Sequence, residues 1–200
     1  MAGGDLSPSR LLLAYSLGIF PWYGEENPIL WWSPDPRCVL FPEKLHVPSS
    51  LRRILNGGRF FFTEDACFEQ VIRSCSAIGR PGQEGTWIVP EMIEAYIRLH
   101  RMGFAHSVEV WQDGELAGGL YGVQIGRVFS GESMFHHVSD ASKCGFVHLV
   151  SWLRGRGVAL IDCQQTTPHM TRFGAEEMPR ERYSELLRTL NGELLAPEEE

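Results

Sequence analysis

Two acidic residues stand in apolar stretches of the sequence, where burial can change the ionisation of a carboxyl group and suit it to catalysis. Glu132 lies within the run Phe129–Phe135, and Asp162 ends the apolar run Val158–Ile161. Burial disfavours the charged form of a carboxyl group unless hydrogen-bond donors surround it. Glu132 is therefore either a carboxylate satisfied by backbone amides or a reactive group. Asp162 either caps the next loop or polarises a nucleophile.

Gln164 follows Asp162 at a spacing of two residues. Alternate side chains of an extended strand point to the same face, so the two side chains should act together if the strand continues through them. In an α/β sheet, ligands bind beyond the carboxyl ends of the strands. This spacing predicts a polar site at the end of a buried strand.

Other residue types in the chain suit an extended ligand. Trp22 and Trp87 offer large flat surfaces, which either fill the core or form the walls of a binding site. Three arginines stand close together in the sequence, at Arg52, Arg53 and Arg59. Such a cluster suits phosphate groups, although an ordinary solvated face has the same composition.

The elements that must position these side chains follow from hydrophobic periodicity and from Pro, Gly and capping signals. Helices are predicted at residues 7–18, 48–55, 64–74, 90–103, 139–152 and 180–190. Strands are predicted at residues 37–42, 59–63, 107–111, 116–124, 128–134 and 158–163. The strands between 107 and 134 form an antiparallel meander, whereas the last strand follows a helix and should pair in parallel. The fold class is therefore α/β.

Length and composition limit the class of protein. With 200 residues, 44% of them hydrophobic, the chain can bury a core as one domain or as one domain with a small companion. No signal peptide or membrane span is evident, so we expect a cytoplasmic protein that does not bind a membrane. The formal net charge of −7 argues against a protein that coats nucleic acid. The five cysteines are irregularly spaced and indicate buried thiols, with no disulfide framework or metal site.

A series of short strings, in one order, covers nearly the whole chain. They are residues 3–8, 18–22, 31–37, 85–88, 106–111, 118–122, 131–135 and 160–164. Taken together, they resemble the leucyl/phenylalanyl-tRNA–protein transferases. The resemblance implies a catalytic domain of the N-acetyltransferase-superfamily type at residues 39–200, behind a small N-terminal lobe at residues 1–38.

The resemblance also implies an activity. Leu or Phe, and sometimes Met, is transferred from aminoacyl-tRNA to the N-terminal Arg or Lys of an acceptor protein, which marks that protein for N-degron-dependent degradation. The donor ester already carries its activation energy, so no ATP, metal or other cofactor is expected. We expect a monomer, with aminoacyl-tRNA and the acceptor protein as its partners.

Roles for individual residues follow from the same resemblance. Asp162 is expected to act with Gln164 to polarise the attacking amine, and Glu132 to hold the amine of the aminoacyl group. Another account leaves proton transfer to the ribose of the terminal adenosine and gives the protein only positioning. Trp22 and Trp87 are expected to form walls around the aminoacyl-adenosine end. The expected apolar pocket consists of Leu120, Phe129, Phe146, Leu149 and Ile161, and the expected tRNA contacts are Arg52, Arg53 and Arg59.

Two other functions stay open at this point. An acyl-CoA-dependent N-acetyltransferase would need a Gly-rich pyrophosphate loop that leads into a helix. The helix near Ser139 has no glycine in the four residues before it, and the Gly-rich loop at residues 79–85 leads into Thr86–Ile88 instead. A non-catalytic module that binds RNA or protein N-termini would tolerate replacement of Glu132 and Asp162 without loss of any product.

Overall fold

The computed structural model describes residues 1–78 and 86–191. The helices are α1 Pro8–Ser16, α2 Ser49–Asn56, α3 Phe68–Ala77, α4 Pro90–Arg101, α5 Ala141–Gly155, α6 Pro168–Arg172 and α7 Arg180–Asn191. The strands are β1 Phe20–Pro21, β2 Trp31–Trp32, β3 Arg37–Leu40, β4 Phe61–Glu64, β5 Ala105–Gln112, β6 Glu115–Ile125, β7 Val128–His136, β8 Leu160–Gln164 and β9 Glu176–Met178.

A sheet of seven strands, in the order β4-β5-β6-β7-β8-β3-β9, forms the centre of the molecule. Its neighbours pair in antiparallel fashion except β7 and β8, which are parallel because α5 carries the chain back across the sheet between them. The parallel pairing ends at Ser130 and Asp162, although β7 continues to His136. The two strands therefore part at the carboxyl end of β8.

Helices cover both faces of this sheet and bury its apolar side chains. One core cluster joins α1, α3 and α4 to β6, with Tyr15, Tyr96 and Tyr121 among its members. A second cluster joins α2, α5 and α6 to β3, β7 and β8, and it includes Phe146 and Leu149. Full burial of a large apolar side chain contributes about 1.5–3 kcal/mol, so these clusters are the main source of stability.

The predicted α/β class is confirmed, as are the antiparallel meander and the parallel last strand. The start of the predicted helix 64–74 was wrong, because β4 includes Glu64 and Asp65 has a left-handed φ of 58°. The Asp65 carboxylate accepts hydrogen bonds from the His106 ring and the Ser107 backbone, so α3 begins only at Phe68.

Some parts of the chain were predicted incompletely. The sequence analysis did not predict α6 or β9. The predicted Gly-rich loop at residues 79–85 lies outside the described residues. Strand β3 begins at Arg37 within the large sheet, and the division of the chain into residues 1–38 and 39–200 stays a prediction. Among the described helices, none has the length and apolar character that crossing a bilayer requires.

Candidate active site

A cavity of about 330 Å³ lies where β7 and β8 part. Its apolar wall contains Leu120, Phe129, Met134, Phe146, Leu149, Ile161 and Met170. Glu132, Asp162, Gln164, Gln165, Thr167 and His169 form much of its polar lining. A smaller cavity of about 160 Å³ shares Glu132 and Gln164 with the first and adds Phe20, Pro21, Trp22 and Trp87. Glu132 and Gln164 therefore lie between two adjoining spaces.

A β-bulge places Glu132 at this position. Tyr121 pairs with Ser133 and Gly122 pairs with Gly131, so Glu132 is the extra residue on β7. The close approach requires glycine at position 122, because a Cβ atom there would lie 2.3 Å from the carbonyl oxygen of Ser130. Bulges commonly redirect a side chain next to an active site. Here the bulge carries the Glu132 carboxyl group into the cavity.

Glu132 is almost fully buried, yet hydrogen-bond donors reach both of its oxygens. The Tyr96 hydroxyl donates to Oε2 at 3.2 Å, and Gln164 Nε2 donates to Oε1 at 3.0 Å. The Tyr15 hydroxyl contacts that of Tyr96, so a row of polar groups extends from α1 to the cavity. Burial raises the pKa of Glu132 to about 8, against the lowering effect of the two tyrosine hydroxyls. The carboxyl group therefore keeps its proton to a higher pH than an exposed glutamate does.

Asp162 has a different environment, in which a buried arginine occupies both oxygens. Arg37 donates from Nε to Oδ1 at 2.7 Å and from Nη2 to Oδ2 at 2.5 Å, and both side chains are 1% exposed. The Tyr183 hydroxyl donates to Oδ2 at 2.8 Å. Burial would lower the pKa of Arg37, but the charge of Asp162 outweighs it and holds that pKa above its usual range. Bidentate pairs of this kind fix geometry strongly.

The strand does not continue in regular form through Gln164. This residue has a left-handed φ of 62°, and its backbone N–H donates to Asp162 Oδ1 at 2.9 Å. The turn directs the Gln164 side chain to Glu132, whereas the Asp162 side chain is directed to Arg37. The expectation that Asp162 and Gln164 act side by side was based on regular alternation, which the chain does not follow here. Asp162 instead contacts the backbone of Gln164.

The structure brings the predicted apolar residues together. Leu120, Phe129, Phe146, Leu149 and Ile161 all line the larger cavity. Sequence analysis missed Met170 and His169, which come from α6. The local signal for this helix was present, because Thr167 precedes Pro168 and its hydroxyl accepts a hydrogen bond from the Met170 backbone at 3.2 Å.

The two predicted tryptophans lie together in the smaller cavity. Trp87 is buried, and Trp22 is 36% exposed. The Trp32 ring meets the Trp22 ring edge-on at 5.7 Å, and its Nε1 donates to the Trp22 carbonyl at 2.8 Å. These contacts hold Trp22 beside Glu132 while leaving part of its ring accessible.

The predicted basic cluster lies outside both cavities. Arg52 and Arg53 are exposed on α2, and Arg59 is exposed with its guanidinium carbon 4.9 Å from the centre of the Phe60 ring. Arg52 and Arg53 line an open surface groove with His46. Helix α2 packs on α5, whose Phe146 and Leu149 line the larger cavity. The basic cluster is therefore connected to the larger cavity by the packing of α2 on α5.

An apolar cavity that opens beside ionisable and amide side chains is the arrangement typical of an enzyme site. The family model "Leucyl/phenylalanyl-tRNA protein transferase" matches residues 39–188, and that of the N-terminal domain of the same proteins matches residues 4–35. The chain belongs to the leucyl/phenylalanyl-tRNA–protein transferase family. It is therefore an aminoacyltransferase of the N-end rule pathway.

Curated relatives agree with this assignment. The chain is 62% identical over 181 residues to the leucyl/phenylalanyl-tRNA–protein transferase of Anaeromyxobacter sp. (strain Fw109-5), covering 90% of this chain and 77% of that protein. It is 60% identical over 190 residues to the same transferase of Oleidesulfovibrio alaskensis, covering 92% of this chain and 77% of that protein.

Solved structures also align with the chain at low sequence identity. One is L-PGS from Bacillus licheniformis, with 13% identity, a TM-score of 0.49, and coverage of 81% of this chain and 52% of that one. Another is a GCN5-related N-acetyltransferase from Kribbella flavida, with 10% identity, a TM-score of 0.44, and coverage of 86% of this chain and 61% of that one.

Proposed function

We propose that the two adjoining cavities hold the aminoacylated end of a tRNA while its leucyl or phenylalanyl group, and sometimes methionyl, passes to the N-terminal Arg or Lys of an acceptor protein. The observation that carries this proposal is the position of Glu132 and Gln164, between an apolar cavity and one with tryptophan walls. In an aminoacyl-adenosine the ester lies between an apolar side chain and a flat base. In the structure Glu132 and Gln164 likewise lie between the apolar cavity and the cavity with tryptophan walls.

The larger cavity receives the donor side chain. Its apolar lining favours Leu, Phe and Met over polar side chains, because a polar group there would lose its hydrogen bonds to water. Each methylene group that fills such a pocket contributes roughly 1–3 kcal/mol to discrimination. Trp22 and Trp87 then face the adenosine in the smaller cavity.

Glu132 and Gln164 act on the amine and the ester of the donor. An α-amino group has an ordinary pKa of about 7.7–8.0, close to the pKa of about 8 to which burial raises Glu132. The two groups can therefore share one proton, and the donor amine is held without a fixed charge on either partner. Gln164 is tied to Glu132 and supplies an amide beside the ester.

The transfer itself exchanges one bond for another. The neutral N-terminal amine of the acceptor attacks the ester carbonyl, the new C–N bond forms, and the C–O bond to the ribose breaks. The ribose oxygen takes the proton that the amine loses, and positioning supplies a large part of the rate enhancement.

Asp162 has a positioning role in this proposal. Its carboxylate is occupied by Arg37 and Tyr183, so it holds the left-handed turn at Gln164 through the backbone N–H. The attacking amine therefore meets Gln164 while Glu132 holds the donor amine, and Asp162 acts through Gln164.

The exposed arginines are proposed to bind the phosphates of the tRNA acceptor stem. Arg52, Arg53 and Arg59 form a local basic patch on a chain whose formal net charge is −7, and one such patch suffices for sequence-tolerant binding. The acidic remainder suits acceptors that begin with Arg or Lys. We further propose a cytoplasmic monomer with a lobe at residues 1–38 and a catalytic domain at residues 39–200.

The acetyltransferase alternative is disfavoured by the N-terminus of α5. Asp140 precedes this helix, and its carboxylate pairs with Lys143 Nζ at 2.7 Å. A carboxylate at this position would repel the pyrophosphate of an acyl-CoA, which binds best to free backbone N–H groups at a helix N-terminus.

A direct transfer assay tests the proposal. Purified protein is incubated with radiolabelled Leu-tRNA or Phe-tRNA and a peptide that begins with Arg, and a peptide with an acetylated N-terminus is the matched control. Label should move to the free peptide alone, without added ATP or acetyl-CoA. Label that stays on the tRNA would refute the proposal.

A further inference from the structure

Cys163 lines the cavity and Cys38 lies on the neighbouring strand, although the transfer uses neither of them. Cys38 on β3 pairs with Gln164, and the next residue, Val39, pairs with Asp162. Cys163 is therefore the extra residue of β8 at an irregularity in the pairing, opposite Cys38. Both side chains pack in the core cluster on the α5 face of the sheet, whereas Val39 packs on the other face.

This arrangement places the two cysteine side chains on the same face of neighbouring strands. Side chains that face each other on adjacent antiparallel strands have Cβ atoms about 4.5–5.5 Å apart, close to the separation of about 3.5–4.5 Å in a disulfide. The interaction between the two thiols raises the pKa of Cys163 and lowers that of Cys38, and the Cys163 thiol donates to the carbonyl oxygen of Ile161 at 3.9 Å. Cys38 is thus the better nucleophile of the two.

Access differs between the two sulfurs as well. Cys38 is fully buried, whereas Cys163 is only partly buried and lines both cavities. A small molecule that enters the cavity therefore meets Cys163 first, and the buried Cys38 lies behind it on β3.

We propose that Cys163 and Cys38 form an oxidation site, at which a peroxide produces a disulfide that lowers the transferase activity. In the first step the Cys163 thiol passes its proton to the neighbouring Cys38 sulfur while its own sulfur attacks hydrogen peroxide, the O–O bond breaks, and the departing hydroxide takes up a proton from solvent to become water. Cys163 is then a sulfenic acid. In the second step the Cys38 sulfur attacks the Cys163 sulfur, the S–O bond breaks, a second water leaves, and the S–S bond forms.

The disulfide acts on transfer through the neighbours of Cys163. Asp162 and Gln164 flank this residue, and the turn at Gln164 directs its amide to Glu132. A bond from Cys163 to Cys38 draws β8 towards β3 and moves Gln164 away from Glu132. Misplacement of a positioning group by about 1 Å can lower a rate about 100-fold, so a decrease of roughly 10- to 100-fold is expected.

Peptide mapping of the full chain tests the chemical step without any variant. The protein is treated with hydrogen peroxide, its remaining thiols are alkylated, and it is digested without reduction. A peptide pair joined through Cys38 and Cys163 is the expected product, and dithiothreitol should separate the pair. Oxidation of Cys163 without this pair would overturn the proposal.

Transfer assays before and after peroxide test the functional step. The wild-type protein should lose activity and regain it with dithiothreitol, whereas Cys38→Ala should keep its own starting activity. Cys144→Ala is the matched control, because Cys144 is a buried thiol of the same cluster and its loss leaves the pair intact. Equal losses in Cys38→Ala and the wild type, or a joined pair with full activity, would contradict the proposal. Formation of the disulfide does not require the proposed substrate. A protein that forms no cross-link refutes the oxidation site, whereas a protein that transfers no label refutes the proposed function.

Discussion

Replacement of Glu132 by Gln keeps the shape and the hydrogen-bonding capacity of the side chain but removes its ability to ionise. Burial raises the pKa of this carboxyl group from its ordinary value of 4.5 to about 8. Because the folded-state pKa lies above the unfolded-state value, folding takes up a proton between the two values. The contribution of this group to stability is therefore full below about pH 4.5 and is lost as the pH rises towards 8.

The size of the change in unfolding free energy follows from the difference between the folded-state and unfolded-state pKa values of Glu132. At about 1.4 kcal/mol for each pKa unit, the difference between 4.5 and about 8 corresponds to at most about 5 kcal/mol of stability. Urea unfolding of the wild type and of Glu132→Gln, at pH 5, 6, 7 and 8, measures it directly. The variant should gain stability relative to the wild type at each step of rising pH.

A matched control separates burial from net charge. Glu69→Gln also removes one carboxylate, but Glu69 is an exposed partner of Arg73 on α3. It should leave the pH dependence of the wild type nearly unchanged. A stability difference between wild type and Glu132→Gln that stays constant from pH 5 to 8 would show that Glu132 ionises normally, and the proton-sharing role would be refuted.

Three further substitutions test other parts of the site. Asp162→Ala should destabilise the fold by about 3–5 kcal/mol, because it leaves Arg37 buried without its counter-ion; unchanged urea unfolding would show that the pair is not structural. Combined replacement of Arg52 and Arg53 by Ala should weaken tRNA binding and reduce the salt dependence of log K by about 0.7–0.9 for each lost phosphate contact; a flat salt profile in the wild type would contradict that role. Leu149→Ala should lower kcat/KM for Phe-tRNA roughly 10- to 200-fold by enlarging the apolar cavity, and equal kinetics in the variant would exclude Leu149 from the pocket.

The sequence alone predicted the parts of the site that depend on local pattern. Glu132 and Asp162 were found because each carboxyl group interrupts an apolar run, and the parallel strand followed from the helix before it. Arg37 was missed as the partner of Asp162 because the two are 125 residues apart and no local rule links them. The orientation of Gln164 depends on a left-handed φ, which residue type alone does not predict for glutamine.

The place of β3 in the sheet determines when the enzyme can first become active during its synthesis. Arg37 leaves the ribosome early, but Asp162 follows 125 residues later. At about 5–20 residues per second, this delay lasts roughly 6–25 s. Until β8 emerges, the guanidinium of Arg37 has no counter-ion and the strand has no neighbour on either side. A nascent chain that stops before this point therefore cannot consume aminoacyl-tRNA, however complete its first helices are.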